Sequence, residues 1–194
     1  MRLFVALDLE DEIRQRIAMY VQGLTGFAPD TRWAKVPSLH VTLKFIGEHP
    51  EAGLARLQDT LAKIEAKPFS LAFRGYGFFP TTSAARVFWL GIEASAELPN
   101  LATQVDTALA ALSIPREEHI FTPHLTLARS GSGAPRLGRE EKSSSRFERL
   151  QKQLSAMAPP DFGTMTAREF FLFRSELSPK GSRYTKLASF ALRD

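Results

Sequence analysis

Polar and apolar residues alternate from the first strand-length stretch of the chain. Leu3, Val5, Leu7 and Leu9 recur at period two, which predicts a strand over residues 2–9. The period then lengthens. Ile13, Ile17, Tyr20, Val21 and Leu24 form one stripe, the mark of an amphipathic helix over 10–24, with Gly23 and Gly26 at its end. Residues 33–37 lead into a strand that closes near Gly47. Leu54, Leu57, Leu61 and Ile64 predict a helix over 51–66. Strands over 69–76 and 87–92 follow, joined by a turn-like segment at 80–85.

The second half repeats this order. Leu98, Leu101, Val105, Leu109 and Leu112 stripe a helix over 98–112, and a strand covers 120–128. Residues 129–145 are rich in Gly, Ser, Arg and Glu and read as an exposed loop. Residues 145–157 read as a helix that stops before Pro159 and Pro160, and residues 165–174 and 184–192 as closing strands. Each half is thus helix, strand, helix, strand, strand, over about 10–92 and 98–192, with the 2–9 strand in front. Phe73-Arg74 before Pro80 is echoed by Phe173-Arg174 before Pro179. The expected fold is α+β, one domain of two intertwined lobes over 1–194, with mostly antiparallel sheets. Duplicated units tend to pack about a pseudo-two-fold axis.

The third strand and its echo carry the same polar pair. Leu39-His40-Val41-Thr42-Leu43 matches Pro123-His124-Leu125-Thr126-Leu127. Residues i and i+2 of a strand share a face, roughly 6.5–7 Å apart. Each copy therefore has a His-x-Thr front and an aliphatic back. Pseudo-two-fold packing would turn the two fronts toward each other across a groove. Two of the four histidines lie in this context. His49 and His119 sit in loop-like contexts and read as surface residues.

Composition narrows the chemistry. With 194 residues, 44% hydrophobic and 24% charged, the chain reads as an ordinary globular protein. It has no cysteine, which excludes disulfide scaffolds and thiolate metal sites and suits a reducing, cytoplasmic setting. The apolar run at 3–7 is too short for a signal peptide, and no segment approaches a membrane span. Charge is uneven: residues 1–135 hold 13 Lys/Arg against 14 Asp/Glu, and residues 136–194 hold 12 against 7. The surplus in the last third suits an anionic partner as well as it suits a solvated surface.

A neutral imidazole accepts a proton and an imidazolium donates one. Two of them across a substrate make a general base and a general acid. The Thr hydroxyls can donate hydrogen bonds to charged oxygens. That set suits a phosphodiester, with no cofactor and no metal. Arg129 could add a guanidinium, but its strand parity is opposite to His124 and Thr126. It reaches the site only if the strand bends or ends near Ala128. Trp33 and Phe121 are candidates for stacking on a base. Trp33 is equally suited to anchoring the core, and Phe121 better suited to it.

The doubled motif resembles the 2H phosphoesterases, and within them the RNA 2′,3′-cyclic phosphodiesterases, also described as 2′-5′ RNA ligases. The likeness runs from the Arg2-Leu3-Phe4-Val5-Ala6 start and Trp33 through residues 40–47 and 121–129 to Ser175, Gly181 and Tyr184. It implies a two-lobed α+β fold with the site in the cleft. It implies catalytic His40 as proton donor and His124 as proton acceptor, with Thr42, Thr126 and Arg129 on the phosphate. The implied reaction opens a 2′,3′-cyclic phosphate at an RNA end to a 2′-phosphate, in a monomeric enzyme with RNA as partner, and ligation as a further activity. Nothing is carried over to the polar stretch at 129–145. Rival readings are a 2H enzyme for a small cyclic nucleotide, an ADP-ribose cyclic phosphate or a 2′-5′ oligonucleotide, and a non-catalytic module that binds RNA ends. A zinc hydrolase is weaker, since no His-Glu-x-x-His occurs.

Overall fold

The computed structural model describes residues 1–130, 145–178 and 181–193. Most of the polar stretch at 129–145, and Pro179, lie outside them. In chain order the elements are β1 (Arg2–Asp8), α1 (Asp11–Leu24), β2 (Thr31–Trp33), β3 (His40–Glu48), α2 (Leu54–Leu61), β4 (Phe69–Phe79) and β5 (Val87–Ala94). Then come α3 (Glu97–Ala110), β6 (His124–Ser130), α4 (Ser145–Ser155), β7 (Asp161–Ala167), β8 (Glu169–Ser178) and β9 (Gly181–Ala191).

They form an α+β fold with two antiparallel sheets. The first has the order β3-β1-β8-β9 and the second β2-β6-β5-β4-β7. Set side by side, β1-α1-β3-α2-β4 corresponds to β5-α3-β6-α4-β8. The last strand of each series crosses over. β4 pairs with β5 in the second sheet, and β8 pairs with β1 in the first. The repeat frame therefore begins one strand earlier than periodicity alone suggests, with Arg2–Asp8 as its first element.

Three elements differ from the sequence reading. The helix over 51–66 is a 3-10 turn (Glu51–Gly53) and the short α2. Beyond Leu61 the chain tightens into i→i−3 bonds, Lys63 N–H to Thr60 O and Ile64 N–H to Leu61 O, and Pro68 disfavours a helical conformation at Lys67. The second His-x-Thr strand begins at His124, not residue 120, because Pro123 has no N–H for a ladder, and Ile120 is left exposed. Residues 165–174 are not one strand. The chain breaks at Arg168, with β7 in the second sheet and β8 in the first. Gly163, at φ +94°, puts an irregularity into β7, so its buried residues Phe162, Met165 and Ala167 miss a clean period of two.

The main core is continuous across both sheets. Ile13, Ile17, Val21 and Leu24 of α1 and Leu98, Leu101, Val105 and Leu109 of α3 are buried, as their spacing requires. Each such side chain contributes roughly 1.5–3 kcal/mol by leaving water. A separate cluster covers the other face of the first sheet: Phe4, Ala6, Phe171 and Phe173, with Tyr184 against them. β1 is consequently apolar on both faces.

A buried cation joins β3 to α3. Lys44 Nζ lies 2.8 Å from Asp106 Oδ1 and 3.3 Å from Glu117 Oε1, and donates to Pro115 O at 2.6 Å. Lys44→Met is expected to lower stability by about 3 kcal/mol, the lower end for breaking a buried pair, because Arg116 still holds Asp106. The urea midpoint measures it. A change below about 0.5 kcal/mol, the size of a neutral surface substitution, would show that Lys44 does not tie these elements together.

Candidate active site

Both histidines open their strands, and both are held the same way. His40 follows a 3-10 turn (Val36–Ser38), and its Nδ1 lies 2.8 Å from Ser38 O. His124 follows Pro123, and its Nδ1 lies 2.8 Å from Thr122 O. A carbonyl can only accept, so Nδ1 carries the hydrogen in each ring. Nε2 is left as the nitrogen that takes up or releases a proton. The hydrogen bond to the residue two back sets one tautomer at both places.

The strand registers also match. In the first sheet Ala6 pairs with Thr42 and Val5 with Lys44, skipping Leu43. In the second Trp89 pairs with Thr126 and Phe88 with Ala128, skipping Leu127. Each skip is a bulge, and a bulge reverses the side-chain parity beyond it. Leu43 and Lys44 are therefore both buried, and so are Leu127 and Ala128. Arg129 is thereby turned to the face of His124 and Thr126, where its Nη2 donates to Thr126 Oγ1 at 3.4 Å. The strand bends, as the parity of Arg129 required. The corresponding residue in β3 is Phe45, 57% exposed and 6.0 Å from the Phe4 ring.

β3 and β6 are in contact, and the Arg129 charge acts on both imidazoles. Burial is the main cause that holds His40 below the ordinary histidine value. The Ser38 carbonyl and the Asp8 carboxylate oppose it, while Arg14 and Arg129 add to it. His124 is also held low, first by burial and then by Arg129, against the Thr122 carbonyl. The two rings differ in one neighbour. Asp8 pairs with His40, whereas Gly91 takes that position beside His124. Burial would raise the Asp8 carboxyl, but Lys186, the Leu9 N–H and Arg14 hold it below its usual value, so it stays ionised. A side chain at Gly91 would meet Arg74 O at 2.3 Å, so this position admits only glycine.

Aromatic rings wall each imidazole. Phe4, Tyr184 and Phe173 lie 4.6, 5.1 and 6.2 Å from His40. Phe79 and Trp89 lie 5.1 and 6.3 Å from His124. Sequence reasoning missed this lining as part of the site. Its one signal was β1, apolar at consecutive residues, which requires cover on both faces. The expected stacking residues sit elsewhere. Trp33 donates its indole N–H to Ala28 O at 3.0 Å, meets Phe88 edge-on and packs against the main core, so it is an anchor. Phe121 packs against the same core. Among the described residues, neither ring touches His40 or His124.

His119 is exposed, as expected, but His49 is half-buried. Its Nε2 is enclosed without a hydrogen bond among the described residues, and Gly53 makes room for the ring. Among the described residues, no group of three or more His, Cys, Asp or Glu is placed to hold a metal ion. None of the described helices is long and apolar enough to cross a membrane.

The model of the 2′-5′ RNA ligase superfamily matches residues 9–176. An Archaeoglobus fulgidus protein named RNA 2′,3′-cyclic phosphodiesterase is 34% identical over 190 residues, 98% of this chain and 99% of its own. A Thermus thermophilus protein of the same name is 38% identical over 204 positions, covering 100% of this chain and 91% of its own. The crystal structure of E. coli LigT complexed with 3′-AMP superposes with a TM-score of 0.78 at 28% identity, covering 100% of this chain and 98% of that one.

Proposed function

The chain belongs to the 2′-5′ RNA ligase superfamily, and from that premise we propose that it opens 2′,3′-cyclic phosphates at RNA ends to 2′-phosphates by acid–base catalysis between His40 and His124. One observation carries the reading. Two imidazoles, each held through Nδ1 by the carbonyl two residues back, open two contacting strands, and a guanidinium stands on the His124 and Thr126 face. Named relatives that are RNA 2′,3′-cyclic phosphodiesterases over nearly the full chain support the substrate class.

The step balances without another reactant. His124 Nε2 takes a proton from water, and the water oxygen bonds to phosphorus. The bond from phosphorus to O3′ breaks, and His40 gives its proton to that oxygen. A 3′-hydroxyl and a 2′-phosphomonoester result, with the two imidazoles in exchanged protonation states that solvent resets. Burial and Arg129 lower both rings, and Arg14 lowers His40 as well. Asp8 beside His40 nevertheless favours an imidazolium there, and Gly91 beside His124 supplies no such charge, a contrast that supports His40 as the acid. Thr42 and Thr126 donate to the non-bridging oxygens. The Arg129 guanidinium donates into Thr126 Oγ1 and so leaves that hydroxyl hydrogen for the phosphate.

The test is an oligonucleotide ending in a 2′,3′-cyclic phosphate, incubated with and without EDTA, with the product mapped. A 2′-phosphate at the same rate in both is expected. A 3′-phosphate product would put the leaving oxygen on the wrong carbon. Loss in EDTA that a divalent cation restores would replace the two-histidine mechanism. Tight binding without turnover would leave a module that only holds RNA ends.

A further inference from the structure

Beside His40 lies a cavity of about 420 Å³, between the segment at 37–39, Asp8, and residues 183–186 of β9. Its size falls within the roughly 300–1,000 Å³ of small-ligand sites. Phe173 and Tyr184 line it with aromatic surface, and the Tyr184 ring stands edge-on to His40. Its two cations differ. Lys186 is engaged: its Nζ lies 2.6 Å from Asp8 Oδ2 and 3.9 Å over the Phe171 ring. Arg183 is exposed, and its side chain has no ion pair or hydrogen bond among the described residues. An exposed guanidinium with no side-chain partner among the described residues, beside an aromatic cavity, is a ready partner for a phosphate.

The stereochemistry of the reaction says which part of a substrate lies here. When a cyclic phosphate opens to a 2′-phosphate, the oxygen that leaves is O3′ of the ribose, and the acid must touch it. The ribose therefore lies on the side of the acid. With His40 as acid, the cavity that borders its imidazole is this one, whereas the Phe79 and Trp89 wall lies beside His124. The 5′ carbon of the same ribose carries the phosphate to the preceding nucleotide, so the strand leaves across the rim. We infer that this cavity is the subsite of the terminal ribonucleoside, with Tyr184 against it, and that Arg183 binds the phosphate on its 5′ side. The inference rests on the proposed reaction and its assignment of His40, and it makes an RNA strand a better substrate than a lone nucleoside.

The experiment compares two substrates: a nucleoside 2′,3′-cyclic phosphate with a free 5′-hydroxyl, and the same nucleoside at the end of a dinucleotide. Wild type should favour the dinucleotide in kcat/KM. In Arg183→Ala that preference should fall about tenfold, as expected for one lost charge-assisted contact, and the change should sit in KM. Arg183→Lys should keep most of it, and Arg183→Glu should reverse it. The salt dependence of KM for the dinucleotide should weaken in Arg183→Ala. An unchanged preference in an active enzyme overturns the subsite and leaves the reaction standing. A wild type inactive on both substrates overturns the proposed reaction, and the inference with it.

Discussion

Replacing His40 or His124 by Ala is expected to lower turnover about 10²–10⁴-fold, the usual contribution of one general acid or base. The double variant should lose far less than the product of the two single losses, because in the proposed reaction each imidazole works only when the other is in place. A substrate whose leaving group needs no proton, such as a nitrophenyl phosphodiester, separates the roles. It should rescue His40→Ala in part and leave His124→Ala inactive. Rescue of His124→Ala alone would reverse the assignment, and rescue of neither would remove the proton-donating histidine. Thr42→Ala and Thr126→Ala should be milder if those hydroxyls only hold the phosphate. Thermal midpoints belong beside the rates, since the His40 ring packs against Phe4 and Tyr184.

Arg129→Ala should be the next most damaging change, about 10²–10³-fold in kcat, the size seen when one preorganised donor to a developing charge is removed. It should also move the pH profile. The proposed reaction needs His124 neutral and His40 protonated together, so kcat/KM is expected to be bell-shaped with limbs that belong to the pair. Arg129 contributes to lowering both imidazoles. Removing its charge lets both rise, so both limbs should shift to higher pH. Arg129→Lys keeps the charge and loses the planar fork. Its limbs should stay near wild type while the rate remains low. Limbs that stay put in Arg129→Ala, or move to lower pH, would show that the guanidinium does not reach the two rings together.

Much of the fold was legible because its signals are local. The stripe of α1 and the alternation of β1 follow from helix and strand periods that any short window displays. The pairs His40/Thr42 and His124/Thr126 share a face for the same reason. β7 was lost where Gly163 disturbed the period, and helix 51–66 ran too long because the apolar stripe continued past the last helical bond.

Residue types, their spacing and the duplication were determined by the chain itself, and with them the chemistry of two imidazoles and two hydroxyls. The position of Arg129 was not. Its parity placed it behind the strand, and only pairing against β5, with Leu127 skipped, turned it forward. The same holds for Phe45 against β1. A bulge is a mismatch between two strands, so it has no existence in one of them alone. The exchange of β4 and β8 between the sheets, the aromatic walls around each histidine, and the contrast of Asp8 with Gly91 are likewise long-range pairings. They depend on which backbone groups find partners far along the chain. That choice is made by hydrogen bonds and burial across the whole fold, not by any stretch of neighbouring residues.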